Sequence, residues 1–298
     1  MLKSKSQRLS LNDWQSLAKK HRDEVRQWTE PTRCRRASHQ KHPVIDFLFT
    51  YYPFSLGKLE QWHPGFGVTM ECGNEPPDRF LGRHYRHHDG TVSLDALSLT
   101  AKQIKRLKWI HNLLVITQRR TPGFACYGMH EWAMVYQGDR QGDIRHRESA
   151  PLRLSQEETD HIVETRPICC SHFDAYRFFA PAALGFNKLR PTLDNRPDHE
   201  QSGCLHTNMD LYKWASKCMP WVGSALLWQC FQLALQAREL DMCASPYDLT
   251  QYGYNPIKIE TAEGRDQYET GQRAISAQAH PLRQQIIDSL AEVIGQTV

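Results

Sequence analysis

No apolar run in this chain approaches the roughly 20 residues that a membrane-crossing helix needs, and the mean hydropathy of -0.62 points the same way. A membrane-spanning helical protein is not expected. The first residues, MLKSKSQRLS, are basic, but the polar LNDWQSLAKKHRDEV follows, so a signal-peptide core is missing and a cytoplasmic protein is expected. The nine cysteines show no CxxC spacing, and Cys169 and Cys170 are adjacent. A zinc ribbon or a disulfide framework does not follow from such a pattern; reduced, mostly buried thiols do. The HExxH zinc signature fails because Met134 stands where its second histidine belongs. Internal repeats and low-complexity blocks are missing too.

What is present fits an ordinary globular chain. Its 298 residues suffice for a substantial core, with 40% hydrophobic and 23% charged residues. One compact domain over 1–298 is expected, with a basic segment at 1–10. A helix near 11–28 is predicted, capped by Ser10 or Asn12, with Leu11, Trp14, Leu17, Val25 and Trp28 on its apolar face. PVIDFLFTYYPFSLGKLEQW predicts two short helices broken at Pro53. FGVTMEC and RHYRHHDGTVSL are strand-like, and Asp89-Gly90 is a tight-turn signal. A β-hairpin or small antiparallel sheet is therefore placed near 66–97.

Helical spacing returns with Ile104, Leu107, Ile110, Leu113 and Leu114. Ser155 with Glu158 three residues on is a capping-box signature. Further helices are expected at 205–218 and 221–240, separated by Pro220, and at 262–294, interrupted at Pro281. GDRQGDIRHRES at 138–149 reads as a loop. The fold class is mainly α with a small antiparallel β part (α+β).

Net charge is only +4, yet Lys3, Lys5, Arg8, Lys19, Lys20, Arg22, Arg26, Arg33, Arg35, Arg36 and Lys41 crowd the first 41 positions. Such a cluster can neutralise phosphates by counterion release; a solvated helix face would be written the same way. HPGFGV at 63–68 resembles a phosphate-binding hairpin between two helices. That reading needs a downstream helix, and VTMECGNEPPD makes a poor one, so an ordinary turn is expected.

Four segments mix ionisable groups with large rings: CYGMHEWAMVY, CCSHFDAYRFF, GCLHTNMDLYKW and ELDMCASPYDL. A carboxylate among such neighbours is costly unless it is hydrogen-bonded, paired or used. On a helix, His206 and Asp210 share a face; metal ligation, acid–base work or a structural Asp210–Lys213 network would each explain them. Glu131 suits a general base or a positioning group. Asp174 can pair with Arg177, and Asp248 reads as a turn residue.

HPVIDFLFTYY, HEWAMVY, SHFDAYRFF, GCLHTNMDLYKWA and RELDMCASPYDL together resemble a bacterial family known as the 3-methyladenine DNA glycosylases, over about 42–265. The resemblance implies a DNA-repair N-glycosylase acting on alkylated purines, with alkylated DNA as partner and no cofactor. The chemistry would take Asp210 as leading acid, then Glu131 and Asp174, with His206 orienting a partner. Trp132, Tyr136, Tyr176, Trp214 and Tyr247 would wall the base pocket, and Lys213 and Asp241 would contact substrate. Neither a helix-hairpin-helix nor a cysteine/histidine zinc layout is recognisable. A second reading is a helical, di-iron-like oxidase with iron held by His130, Glu131, His172, Asp174, His206, Asp210 and Asp241, although a clean Glu-x-x-His pair is missing. A third is a non-catalytic nucleic-acid or nucleotide-binding protein with structural acids.

Overall fold

A computed structural model describes residues 7–73, 76–138 and 150–297. Of the loop expected at 138–149 only Gly138 falls inside that set, and Lys3 and Lys5 lie outside it. Strand β1 (Gln7–Leu9) runs into helix α1 (Leu11–Ala37). Ser10 is the cap: its hydroxyl accepts from the Asp13 N–H while the Asp13 carboxylate accepts from the Ser10 N–H. The helix passes the expected end at 28 and continues through Pro31. Its buried stripe explains why, since Trp14, Ala18, His21, Val25, Thr29 and Thr32 keep helical spacing beyond Trp28.

Two short helices, α2 (Ile45–Tyr51) and α3 (Leu56–Glu60), flank Pro53 as the sequence predicts. Strands β2 (Val68–Glu71), β3 (Tyr85–His88) and β4 (Thr91–Leu94) then form a four-stranded sheet with β1, in the order β1-β2-β4-β3. The β3–β4 hairpin turns at Asp89 and Gly90, whose φ values of 44° and 69° are the left-handed pair a two-residue turn requires. β1 pairs with β2 in parallel, Gln7 opposite Val68, so the sheet is mixed rather than purely antiparallel. Leu9, Trp14, Trp62, Met70, Phe80 and Val92 form the small core between this sheet and α1.

The HPGFG segment is a packing turn followed by strand β2. Phe66 N–H donates to Trp221 O at 2.8 Å, and Ser224 N–H donates to His63 O at 2.9 Å. The backbones approach closely here. A Cβ on Gly223 would lie 2.9 Å from Pro64 O and 3.1 Å from Gly65 Cα, and Gly223 has φ +75°.

The remaining helices are α4 (Ala101–Arg119), α5 (Met129–Met134), α6 (Gln156–Thr165), α7 (Phe173–Tyr176), α8 (Arg196–His199), α9 (Leu205–Lys217), α10 (Ser224–Cys243) and α11 (Ala262–Gly295). Ser155 and Glu158 form the expected capping box. Helix α11 is unbroken at Pro281, contrary to expectation. Gln272, Ile275, Ala279, Arg283 and Ile286 stay buried across it, and that packing outweighs the local break. Helix α9 is central: ten of its 13 residues are buried, and α10 and α11 both pack on it. All nine cysteines are free, and five are buried. No described helix is long and apolar enough to cross a membrane.

Candidate functional site

The four polar–aromatic segments, some 70 to 110 residues apart in places, converge at one end of α9 and α10. Helix periodicity sets the local geometry. His206 and Asp210 stand one turn apart on α9, and Arg238 and Asp241 are three apart on α10, so each pair shares a face. Gly128, at φ 72°, turns the chain into α5 and brings His130 and Glu131 to the same place. His172 and Asp174 open α7, and Arg196 and Glu200 close on them from α8.

The groups form two joined clusters. In the first, His130 Nε2 is 2.9 Å from Asp241 Oδ1, and His206 Nε2 is 3.8 Å from Asp241 Oδ2. Arg238 donates to Glu131 Oε1 at 2.9 Å and to Asp241 Oδ2 at 3.1 Å. Cys126 Sγ lies 3.6 Å from His130 Nδ1. Burial opposes charge on His130, but Asp241 and Cys126 outweigh it, and its pKa is raised well above the usual value. His206 goes the other way: burial and the neighbouring His130 push it down to about 3, so it is neutral at physiological pH.

In the second cluster Asp210 is the hub. It accepts from Tyr52 Oη at 3.0 Å and from Lys213 Nζ at 2.8 Å, with His172 Nε2 at 3.2 Å and Arg196 Nη2 at 3.5 Å. Asp174 takes the other side of the same cations, 2.7 Å from both Lys213 Nζ and Arg196 Nη2. Arg196 Nε also meets Glu200. Desolvation opposes ionisation of Asp210, yet Lys213, His172 and Arg196 hold its carboxyl far below the ordinary range. The same balance holds Asp174 at about 2. Burial pushes Glu200 up. The clusters meet through His206, whose ring lies edge-on to His130 at 4.5 Å and tilted against His172 at 5.6 Å.

Beside them opens a cavity of about 990 Å³. Phe47, Tyr51, Tyr52 and Phe178 supply aromatic wall, Phe47 and Tyr51 stacking at 5.0 Å. Glu131, Asp174, His206, Lys213 and Arg238 face it from the clusters, and Arg36, Lys41, Arg177 and Lys217 add positive charge. Six Lys/Arg against Asp46, Glu131 and Asp174 give the lining an anion-accepting character.

The residues singled out in the sequence fall into three places. Glu131, Asp174, His206, Lys213 and Tyr247 line the cavity. Asp210 and Asp241 stand behind its wall, 1% and 0% exposed. Of the other aromatic residues expected as walls, Trp132 is fully buried and donates to Ala244 O at 2.9 Å, and Tyr136 donates to Glu164. Trp214 is buried beneath Arg196, Lys213 and Lys217, and the Tyr176 hydroxyl points to Leu184 O. Those four pack structure around the site; Phe47, Tyr51, Tyr52 and Phe178 replace them at the cavity.

Among the described residues two sets of donor atoms are spaced for a metal ion: His130, His206 and Asp241, and His172, Asp174 and Asp210. Lys213 Nζ sits between Asp174 and Asp210, within 2.8 Å of both, so an ammonium already bridges the second set. Among the described residues Asp241 meets the first histidine pair and Asp210 meets His172; no carboxylate joins the two sets, as a dinuclear centre would require. Arg196, Arg238, Tyr52, Glu200 and Cys126 complete the clusters without having been singled out. Only Arg238 carried a readable signal, its position three residues before Asp241 on one helix face. Against this geometry, no protein-family model, no curated protein and no solved structure matches the chain.

Proposed function

We propose that this chain excises alkylated purines such as 3-methyladenine from DNA, hydrolysing the N-glycosidic bond of a nucleotide turned into the cavity. The supporting observation is an aromatic cavity into which the Glu131 and Asp174 carboxylates face among cationic side chains. Glu131 pairs with Arg238, and Asp174 with Arg177, Arg196 and Lys213, while the cationic lining suits the phosphates on either side of a nucleotide. An N3-alkylated adenine is a cation, and its departure leaves positive charge on the sugar. Both are favoured close to the Glu131 and Asp174 carboxylates, and the base gains further from aromatic faces. A space of about 990 Å³ also exceeds what a purine needs.

Enclosure of Asp210 moves the reacting role to Glu131, which faces the cavity. Water attacks the anomeric carbon and gives its proton to Glu131. The glycosidic electron pair leaves with the base, which departs neutral. Arg238 orients the Glu131 carboxylate, while Arg36 and Lys41 at the cavity suit the flanking phosphates. Incubating the full chain, in excess, with methylated duplex DNA should release 3-methyladenine in a single turnover. No release above a Glu131→Gln control removes the proposal.

A further inference from the structure

The first cluster contains an arrangement that base excision does not use. His130 Nε2 and Asp241 Oδ1 are 2.9 Å apart, the two residues are 2% and 0% exposed, and neither atom makes a hydrogen bond among the described residues. At that distance either a proton on Nε2 or a bound cation lies between the two atoms, and a cation that binds takes the proton's place. The other nitrogen of His130 is engaged by Cys126 Sγ at 3.6 Å. Once an ion displaces the Nε2 proton, the remaining proton sits on Nδ1 beside the Cys126 sulfur and Nε2 is free to ligate. A metal-bound imidazole is arranged in this way, its outer nitrogen fixed by a neighbouring group.

We propose that His130, His206 and Asp241 bind one divalent first-row transition-metal ion at the cavity floor. The donor set is two imidazoles and one carboxylate, the class that takes Zn²⁺ or Fe²⁺ with positions left open. Spacing agrees. Ligand atoms around a tetrahedral ion with bonds of about 2.0–2.1 Å lie roughly 3.3 Å apart; His130 Nε2 and Asp241 Oδ1 are 2.9 Å apart, and one donor atom from each of the three residues lies within 4.8 Å of the others. His206 lines the cavity, so an open coordination position would face it. Arg238 holds the second Asp241 oxygen and leaves Oδ1 free for the ion. The neighbouring set is bridged by Lys213, so a single ion is assigned, unlike the paired irons expected from the ligand inventory.

This site stands independently of base excision, and its test needs no DNA. The full chain is stripped with chelator, dialysed with Co²⁺ or Zn²⁺, and its metal content measured. One tightly held equivalent is expected, with visible Co²⁺ bands of a low-coordinate nitrogen–oxygen site. His206→Gln, at the cavity wall, should lose at least about tenfold in affinity. Asp241→Asn should lose the ion, whereas Asp210→Asn, in the other cluster, should retain it. Zn²⁺ should raise the melting temperature of the wild type and not of His206→Gln, a readout that does not depend on Asp241→Asn folding. Substoichiometric metal after reconstitution, two equivalents, or undiminished binding in His206→Gln would each overturn the proposal.

Discussion

Asp210→Asn is the perturbation whose size follows most directly from the structure. The carboxylate is 1% exposed and is approached by Tyr52, His172, Lys213 and Arg196, with Asp174 and Glu200 as neighbouring acids. Asparagine keeps the shape and one acceptor but leaves Lys213 and Arg196 short of a counter-charge. Breaking a buried ion pair by removing one partner costs about 3–5 kcal/mol. With a urea slope of about 2–3 kcal/mol per molar, the unfolding midpoint should fall by about 1–2.5 M.

The sign of the pH dependence is fixed as well. Asp210 titrates lower in the folded chain than its unfolded value of about 3.9. Its contribution is therefore complete above about pH 5 and is lost as pH falls below that unfolded value. Asp174 and Asp241 shift in the same direction but are present in both proteins, so the wild-type-minus-variant difference isolates Asp210. That difference should be constant at neutral pH and shrink below about pH 4. Adding Lys213→Met to Asp210→Asn should recover part of the loss, since both charges are then removed together. A midpoint within about 0.3 M of wild type at pH 7, or a gap that does not narrow in acid, would refute the account of Asp210 as the charge hub.

Three further outcomes are expected. Glu131→Gln leaves Arg238 an acceptor and its second counter-charge Asp241, so stability should fall less than in Asp210→Asn while base release falls at least about 100-fold in a single-turnover assay. Arg36→Gln with Lys41→Gln should weaken DNA binding and lower the slope of log affinity against log salt by about 1.8, measured by fluorescence anisotropy at several salt concentrations; an unchanged slope removes them from the phosphate path. Gly223→Ala should cost about 1–3 kcal/mol in thermal unfolding, because the added methyl meets Pro64 O and the backbone is left-handed there.

Periodicity revealed most of the fold because most elements follow local rules. The Asp89-Gly90 turn, the Ser155–Glu158 box and the break at Pro53 are each decided within a few residues. The helix end expected near 28 and the interruption expected at Pro281 both failed because burial of flanking stripes is a tertiary effect that the local sequence does not express. Strand β1 was missed since three residues gain strand character only from Val68–Met70 alongside. The acids of the site were legible as charges among rings. Their counter-ions were not: Arg196 sits in DNRPDHE, a segment with no ring-rich texture, and Tyr52 looked like one more aromatic residue of α2. Trp132 and Trp214 look like pocket walls in sequence, but large rings satisfy core packing equally well.

The final helix reaches far into this arrangement. Arg283 donates to Asn208 Oδ1 at 2.5 Å, and Gln272 donates to Gly203 O at 2.8 Å, so α11 clamps the start of α9, the helix carrying His206 and Asp210. During synthesis the clustered histidines and carboxylates would leave the ribosome well before their clamp does. The nascent chain thus holds an unassembled set of charges until its last helix docks. Truncation within α11, although remote from the cavity in sequence, should silence the site by loosening the floor it is built on.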